Sequence, residues 1–319
     1  MAFAPDGRLF LTERPGRVRI FQNGQLLPEP ALTLTGLHTN GESGVLGLAL
    51  HPSFATNGFV YIVYDVEDAN GPFARLVRYR AVGNTLGEPA VLLDGVPAAN
   101  IHNGSRVHFG PDGKLYLSFG DAASPSVAQD LARLNGKILR LNDDGTTPRD
   151  NPYSSPVWTW GHRNPQGFDW HPASGEMYES EHGQVGNDEI NVIVRGDNYG
   201  WPVIEGSTTR PDMVTPITFF TPSVAPSGAS FYRGSAFPTF RNDLFVATLG
   251  GVSLLRITLN ASDPHSVASV DRLMQGKYGR LRDVVSGPDG FIYLCTSNRD
   301  QRTTPVAGDD RILRLVPVQ

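Results

Sequence analysis

One piece of punctuation recurs along this chain and limits what it can fold into. Phe3-Ala4-Pro5-Asp6-Gly7-Arg8-Leu9-Phe10-Leu11 returns as Phe109-Gly110-Pro111-Asp112-Gly113-Lys114-Leu115-Tyr116-Leu117 and as Ser286-Gly287-Pro288-Asp289-Gly290-Phe291-Ile292-Tyr293-Leu294. Looser copies lie between: Leu50-His51-Pro52 leading to Phe59-Val60-Tyr61-Ile62, Trp170-His171-Pro172 leading to Met177-Tyr178, and Ala236-Phe237-Pro238 leading to Leu244-Phe245-Val246. In the full copies proline fixes φ and glycine takes the turn position that needs positive φ. The residues that follow alternate as a half-buried strand does. Later strands such as Lys137-Ile138-Leu139-Arg140-Leu141 and Arg311-Ile312-Leu313-Arg314-Leu315 close several units. The mean spacing is about fifty-seven residues, above the ~40–50 of common propeller repeats, which leaves room for loops on one face. Six such units predict an all-β chain, a six-bladed β-propeller of four-stranded antiparallel blades, forming one domain over residues 1–319. A β-sandwich would not explain six repeats of one turn. The strand before the first turn is expected to be short or missing, and Ser126 to Leu134 is the best short helical candidate.

Composition removes several function classes. Hydrophobic residues make up 39% and charged residues 18%, which suits a packed chain. A net charge of −5 with no long cationic cluster argues against nucleic acid as a partner. The single cysteine, Cys295, excludes an intrachain disulfide framework, zinc ribbons and CxxC redox pairs. Its strand-like neighbours make it a small packed hydrophobe. No apolar run approaches a membrane span, and the residues after Met1 show no signal-peptide pattern.

Ligands of a propeller gather where loops from different blades converge, so polar residues at equivalent loop positions are the candidates. Ile101-His102-Asn103-Gly104-Ser105-Arg106 precedes the third unit's turn, and Gly120-Asp121 ends the strand after it. A His and an Asp at the two ends of one hairpin can pair, the carboxylate orienting the imidazole as a base. Asn40-Gly41-Glu42-Ser43-Gly44 stands at the equivalent place in the second unit, and Arg280-Leu281-Arg282-Asp283 in the sixth. The Arg-x-Arg spacing puts both guanidinium groups on one strand face. Gly161 to Gly167 reads as a turn holding Arg163 and Asn164. Glycine in Glu181-His182-Gly183-Gln184 would let a backbone carbonyl approach a ligand closely. Adjacent Asp188 and Glu189 suit calcium, a cap, or a pair with Arg195. Taken singly, each of these residues also has a plain structural role open to it.

Together these segments resemble the soluble quinoprotein sugar dehydrogenases of the glucose/sorbosone dehydrogenase family, from about Phe3 to Leu315. The resemblance is carried by Gly41-Glu42-Ser43-Gly44-Val45-Leu46-Gly47, His102 with Arg106, Gly161-His162-Arg163-Asn164-Pro165-Gln166-Gly167, Glu181-His182-Gly183, Asp188-Glu189-Ile190-Asn191, Asn198-Tyr199-Gly200-Trp201-Pro202, Ala225-Pro226-Ser227-Gly228 and Arg280-Leu281-Arg282-Asp283. It implies a six-bladed propeller that uses pyrroloquinoline quinone (PQQ) and calcium to oxidise aldose sugars to lactones and passes electrons to an external acceptor. His102 would take the hydroxyl proton as hydride passes to the quinone, with Asp121 orienting it. Arg163 and Asn164 would lie against the quinone oxygens, with Glu42 at the same site. Arg280 and Arg282 would pair with cofactor carboxylates, and Ser223 is a further cofactor contact. The carbonyls of Gly183 and Gln184 would hold the calcium that bridges to the quinone, and Glu189 with the carbonyl of Tyr199 a second, structural calcium. A periplasmic or secreted monomer or homodimer is the implied setting. One position departs from the pattern: the family's quinone-contacting lysine after the fifth unit's Leu-Phe-Val strand is Gly250 here. Two other readings remain, a calcium-dependent lactonase or esterase using Glu42, Asn164 and Asp121, and a non-catalytic binding propeller.

Overall fold

The three Pro-Asp-Gly copies fold alike, and their side chains show why. Gly7, Gly113 and Gly290 take φ of 87°, 72° and 80°, the left-handed region that costs glycine nothing. Each preceding aspartate accepts the backbone N–H two residues on: Asp6 from Arg8 (3.1 Å), Asp112 from Lys114 (3.0 Å) and Asp289 from Phe291 (3.2 Å). Such Asx turns supply the hydrogen bond that starts the next strand. In two copies the tyrosine of that strand ties back to the same aspartate, Tyr116 to Asp112 and Tyr293 to Asp289.

The computed structural model describes residues 1–317. They form two compact units that divide after His162, each with three antiparallel sheets. In the first unit the sheets are Ala2–Phe3, Leu9–Glu13, Arg17–Gln22 and Gln25–Leu26, with Leu32–Thr33 pairing the third strand; Val45–Leu50, Phe59–Asp68, Gly71–Val82 and Thr85–Pro97; and Val107–Phe109, Leu115–Phe119, Lys137–Leu141 and Val157–Trp160. In the second they are Pro165–Trp170, Met177–Glu181, Asp188–Ile193 and Thr218–Phe220; Pro226–Phe231, Leu244–Thr248, Leu254–Asn260 and Asp263–Leu273; and Leu281–Ser286, Ile292–Thr296 and Ile312–Leu315. Each strand pairs with the next in sequence, and the six sheets are the blades of the predicted β-propeller. The strand before the first turn is present but only two residues long, Ala2–Phe3, and the helical candidate is a 3-10 turn, Pro125–Gln129. Among the described residues no helix is long and apolar enough to cross a membrane.

Within each unit the core lies between successive sheets. Along Phe59–Asp68, Val60 and Ile62 join the cluster with Phe10 and Val18 of the first sheet, while Tyr61 and Val63 join Leu115 and Leu117 of the third. Leu244 and Val246 likewise face Tyr178 and Ile190, while Phe245 and Ala247 face Leu281 and Leu294. Period-2 geometry does this, sending alternate side chains to opposite faces. A strand buried on both faces becomes apolar throughout, and each such side chain contributes about 1.5–3 kcal/mol of burial.

Candidate active site

In an antiparallel meander the start of the first strand and the end of the second share one end of the sheet. Most of the polar residues singled out in the sequence fall at these two positions, or beside them. Glu42, His102 and Arg163 precede first strands, whereas Asp121, Gly183, Gln184 and Gly250 follow second strands.

The third sheet shows the consequence. Val107 pairs with Leu117, so the flanking loops run side by side. His102 Nδ1 lies 2.7 Å from Asp121 Oδ1, with the histidine 14% exposed and the aspartate fully buried. The His102 N–H donates to Glu42 Oε2 (2.9 Å), and its carbonyl accepts from Ala122 (3.2 Å). The three predicted residues of the first unit, Glu42, His102 and Asp121, are therefore linked by direct contacts through His102. His102 and Ser105 have φ of 62° and 70°, and Ala122 and Ala123 of 49° and 60°. Such strain in residues that carry a Cβ persists only where the surroundings over-determine it. Here they do. Ser43 Oγ donates to Ala99 O, Asn103 Nδ2 to Ser43 Oγ, and Arg14 Nη1 lies 2.9 Å from the carbonyls of Thr39, Gly41 and Ser43.

The second unit's residues centre on the sheet that begins at Pro165. Its register sets Glu179 opposite Asn191 and Glu181 opposite Glu189. All four are buried. Burial, then the charge of Glu181, pushes the Glu179 carboxyl well above its ordinary range and Glu189 up to about 8. Asn191 Nδ2 reaches both Glu179 Oε2 (3.2 Å) and Glu189 Oε2 (3.3 Å), and the Gly206 N–H donates to Glu189 Oε1 (2.8 Å). Glu179 Oε1 and Asn191 Oδ1 are buried with no hydrogen-bond partner. Beside them a cavity of about 10 Å³ is lined by Glu181, Glu189 and Glu205 with Gly183, Tyr199 and Arg163. Oxygen donors in excess of donated hydrogens, around space for one small particle, fit a hard divalent cation. Like charges facing each other across a sheet otherwise destabilise it.

Arg163 stands over the Trp201 ring at 5.2 Å and donates through Nη1 to His182 O (3.1 Å), while its buried Nε has no hydrogen-bond partner. Asn164 is fully buried, and its carbonyl accepts from His182 N–H (3.3 Å). Gly183 is required by space, since a Cβ there would strike the carbonyls of Gly186 and Asn187. Asp188 caps backbone N–H groups of the flanking loops, one of the roles its position suggested. It accepts from Gly183 N–H (2.9 Å), Ser223 Oγ (2.7 Å) and the Val224 and Ala225 N–H groups, which also places Ser223 on Asp188. Arg280 holds Asp300 through Nε and Nη2 (2.9 and 2.8 Å), and Arg282 Nη2 lies 3.6 Å from the same oxygen. Arg282 Nη1 donates to Gln166 Oε1 (3.0 Å). The two arginines share one side, as their spacing predicted. Planar guanidinium forks gathered on one side suit a planar anionic ligand.

Glu179, Asp300 and Asp65 were not singled out in the sequence, and Asn191 and Asn103, quoted there within motifs, were given no role. Asp65 is fully buried with one oxygen lacking a partner, and its other oxygen faces the Gly44 N–H.

The glucose/sorbosone dehydrogenase family model matches residues 1–306. The chain is 30% identical to the aldose sugar dehydrogenase YliI of Escherichia coli, over 93% of this chain and 86% of that one. It is also 30% identical to quinoprotein glucose dehydrogenase B of Acinetobacter calcoaceticus, over 93% and 82%. The solved PQQ-bound form of aldose sugar dehydrogenase from Streptomyces coelicolor superimposes with a TM-score of 0.87 at 34% identity, covering 98% of this chain and 92% of that one. A repeat read as propeller blades, a histidine oriented by a buried carboxylate and these likenesses agree: the chain belongs to the glucose/sorbosone dehydrogenase family.

Proposed function

We propose that the chain is a PQQ-dependent aldose sugar dehydrogenase that oxidises the anomeric hydroxyl to the lactone, with His102 as the base. The contact between His102 Nδ1 and the buried Asp121 carboxylate carries this reading. Asp121 accepts the Nδ1 hydrogen, which fixes the tautomer with its lone pair on Nε2 and stabilises the imidazolium formed when Nε2 takes the hydroxyl proton. Glu42 holds the backbone of His102, so the ring pivots little between substrate and product. PQQ, when bound, supplies a quinone that accepts the hydride from the anomeric carbon. Arg163 offsets negative charge as it develops, an electrostatic role that strengthens where water is excluded. Asn164 and Ser223 are further contacts, and Arg280 and Arg282 hold carboxylates through planar forks. The carbonyls of Gly183 and Gln184 hold one calcium, and Glu189 with the carbonyl of Tyr199 a second. The loop from Gly206 to Phe219, which lines a cleft of about 340 Å³, is where sugar preference is set. The test is reconstitution with PQQ and calcium, followed by dye reduction with a panel of aldoses. His102→Ala is expected to abolish turnover while PQQ binding persists, and retained turnover removes His102 from its role.

A further inference from the structure

The turn from Trp201 to Gly206 is tied at its end to two places. The Gly206 N–H donates to Glu189 (2.8 Å), and Glu205 Oε1 accepts the Gln184 N–H (2.5 Å). Glu205 also lines the small cavity that Glu181 and Glu189 share. In a trans peptide the carbonyl points opposite to the N–H of the same unit. A carboxylate holding the Gln184 N–H therefore aims the Gly183 carbonyl the other way. The preceding N–H, that of Gly183, is held by Asp188 (2.9 Å), so successive peptide planes are each fixed by a carboxylate.

We propose that Glu205 is a positioning residue: it aims the Gly183 carbonyl at the cofactor-side cation and, by sharing a cavity with Glu181 and Glu189, makes that aim depend on a cation in the buried carboxylate nest. The inference rests on the proposed use of calcium and PQQ. Without a cation, Glu205 faces the carboxyl groups of Glu181 and Glu189 with no counter-charge between them, and its hold on Gln184 weakens. With one, the three carboxylates gain a common counter-charge and the turn locks. Binding at the nest thus raises affinity for calcium and PQQ together at the carbonyl pair, a coupling between two sites through one side chain.

The test compares wild type, Glu205→Gln and Glu205→Met. Gln keeps an oxygen for the Gln184 N–H and loses the charge, whereas Met keeps the size and loses both. Calorimetric titration of PQQ is run on folded, cation-stripped protein at limiting and at saturating calcium, and calcium binding without PQQ is followed by the fluorescence of the tryptophans, which include Trp201 on the cavity wall. Glu205→Met is expected to bind PQQ about tenfold or more weakly even at saturating calcium, the loss of one charge-assisted hydrogen bond. Glu205→Gln is expected to match wild type at saturating calcium but to need several-fold more calcium to reach it. A merely structural role would move both variants alike at all calcium concentrations. If both bind PQQ within twofold of wild type at limiting and saturating calcium, the role assigned to Glu205 is overturned and the dehydrogenase reading stands. If wild type itself binds no PQQ with calcium present, that reading falls and this inference with it.

Discussion

Gly250 stands where the family resemblance calls for a lysine, and Gly250→Lys is expected to tighten PQQ binding. The backbone permits it, since Gly250 has no positive φ. Space nearly does: a Cβ would lie 3.3 Å from Ala225 Cβ and 3.4 Å from Val224 O, so the neighbours shift by a few tenths of an ångström. Overpacking of this kind costs on the order of 1 kcal/mol. Replacing glycine at a compatible position returns about 0.4–1 kcal/mol by stiffening the unfolded chain, so overall stability should barely move. The adjacent Leu249 carbonyl accepts from Arg280 Nη1 (3.2 Å), which places the new ammonium near an existing cation. That cation is already countered by Asp300 (2.8 Å), which offsets much of the repulsion. The gain is one charge-assisted hydrogen bond, about 1.5–3 kcal/mol, or roughly tenfold to a hundredfold in affinity. Calorimetric titration of PQQ into calcium-loaded protein measures it, with Gly250→Met as the uncharged control. The gain should shrink as salt screens the new charge. A folded Gly250→Lys protein that binds PQQ no tighter than Gly250→Met would refute the reasoning.

Three further outcomes are expected. Asp121→Asn keeps an acceptor for His102 Nδ1 but removes the charge that steadies the imidazolium, so kcat should fall about tenfold to a hundredfold with PQQ affinity unchanged; steady-state dye reduction checks both. Burial pushes the Asp65 carboxyl up from 3.8 to about 6, so its contribution to stability is full below the unfolded value and lost as pH rises through the folded one. Lowering the pH from 7 to 5 should then stabilise wild type by about 1 kcal/mol relative to Asp65→Asn, as read by urea unfolding. Chelating divalent cations should lower the Tm of wild type, and Glu179→Gln, which removes one acidic oxygen from the buried cluster, should lose less on chelation. Equal losses would place the cation away from the nest.

What the sequence makes legible follows its periodicities. Pro-Asp-Gly fixes a turn by backbone sterics alone, and the strand after it inherits its phase, so six sheets and the ends at which loops gather can be read without tertiary knowledge. The pairing of His102 with Asp121 is legible for the same reason, since both flank one hairpin. The carboxylate nest is not. Met177-Tyr178-Glu179-Ser180-Glu181 alternates like a strand with one wet face, yet all five residues are buried. Its polar face meets Asn191 and Glu189 of the neighbouring strand instead of water, and only register across two strands reveals this. Asp300 escapes notice because twenty residues of loop and strand separate it from Arg280. The Ser126 to Leu134 stretch has helical composition, but Asp130 accepts the Ala132 N–H (2.9 Å) and turns the chain before a full helical turn can follow.

The competing readings can be separated by asking which charges each chemistry needs. A lactonase centred on Glu42 and Asp121 would turn those carboxylates toward a metal, but each already spends an oxygen on His102, one on its backbone and one on its ring. That arrangement makes a base out of the imidazole, and hydrolysis at a side-chain metal site has no need of one so tightly oriented. A binding module has no need of the strained φ at His102 either, since strain is retained only where geometry must be held against relaxation. The arginine pair argues the same way. Two guanidinium groups gathered on one aspartate in partly buried surroundings suit a site that an anion completes. An oxidoreductase with a polycarboxylate cofactor gives each of these groups a partner: the imidazole receives a proton, the arginines receive carboxylates, and the nest receives a cation. Gly250 weakens the grip without changing the set of groups, which is why restoring a lysine there should alter affinity and leave the chemistry of turnover as it is.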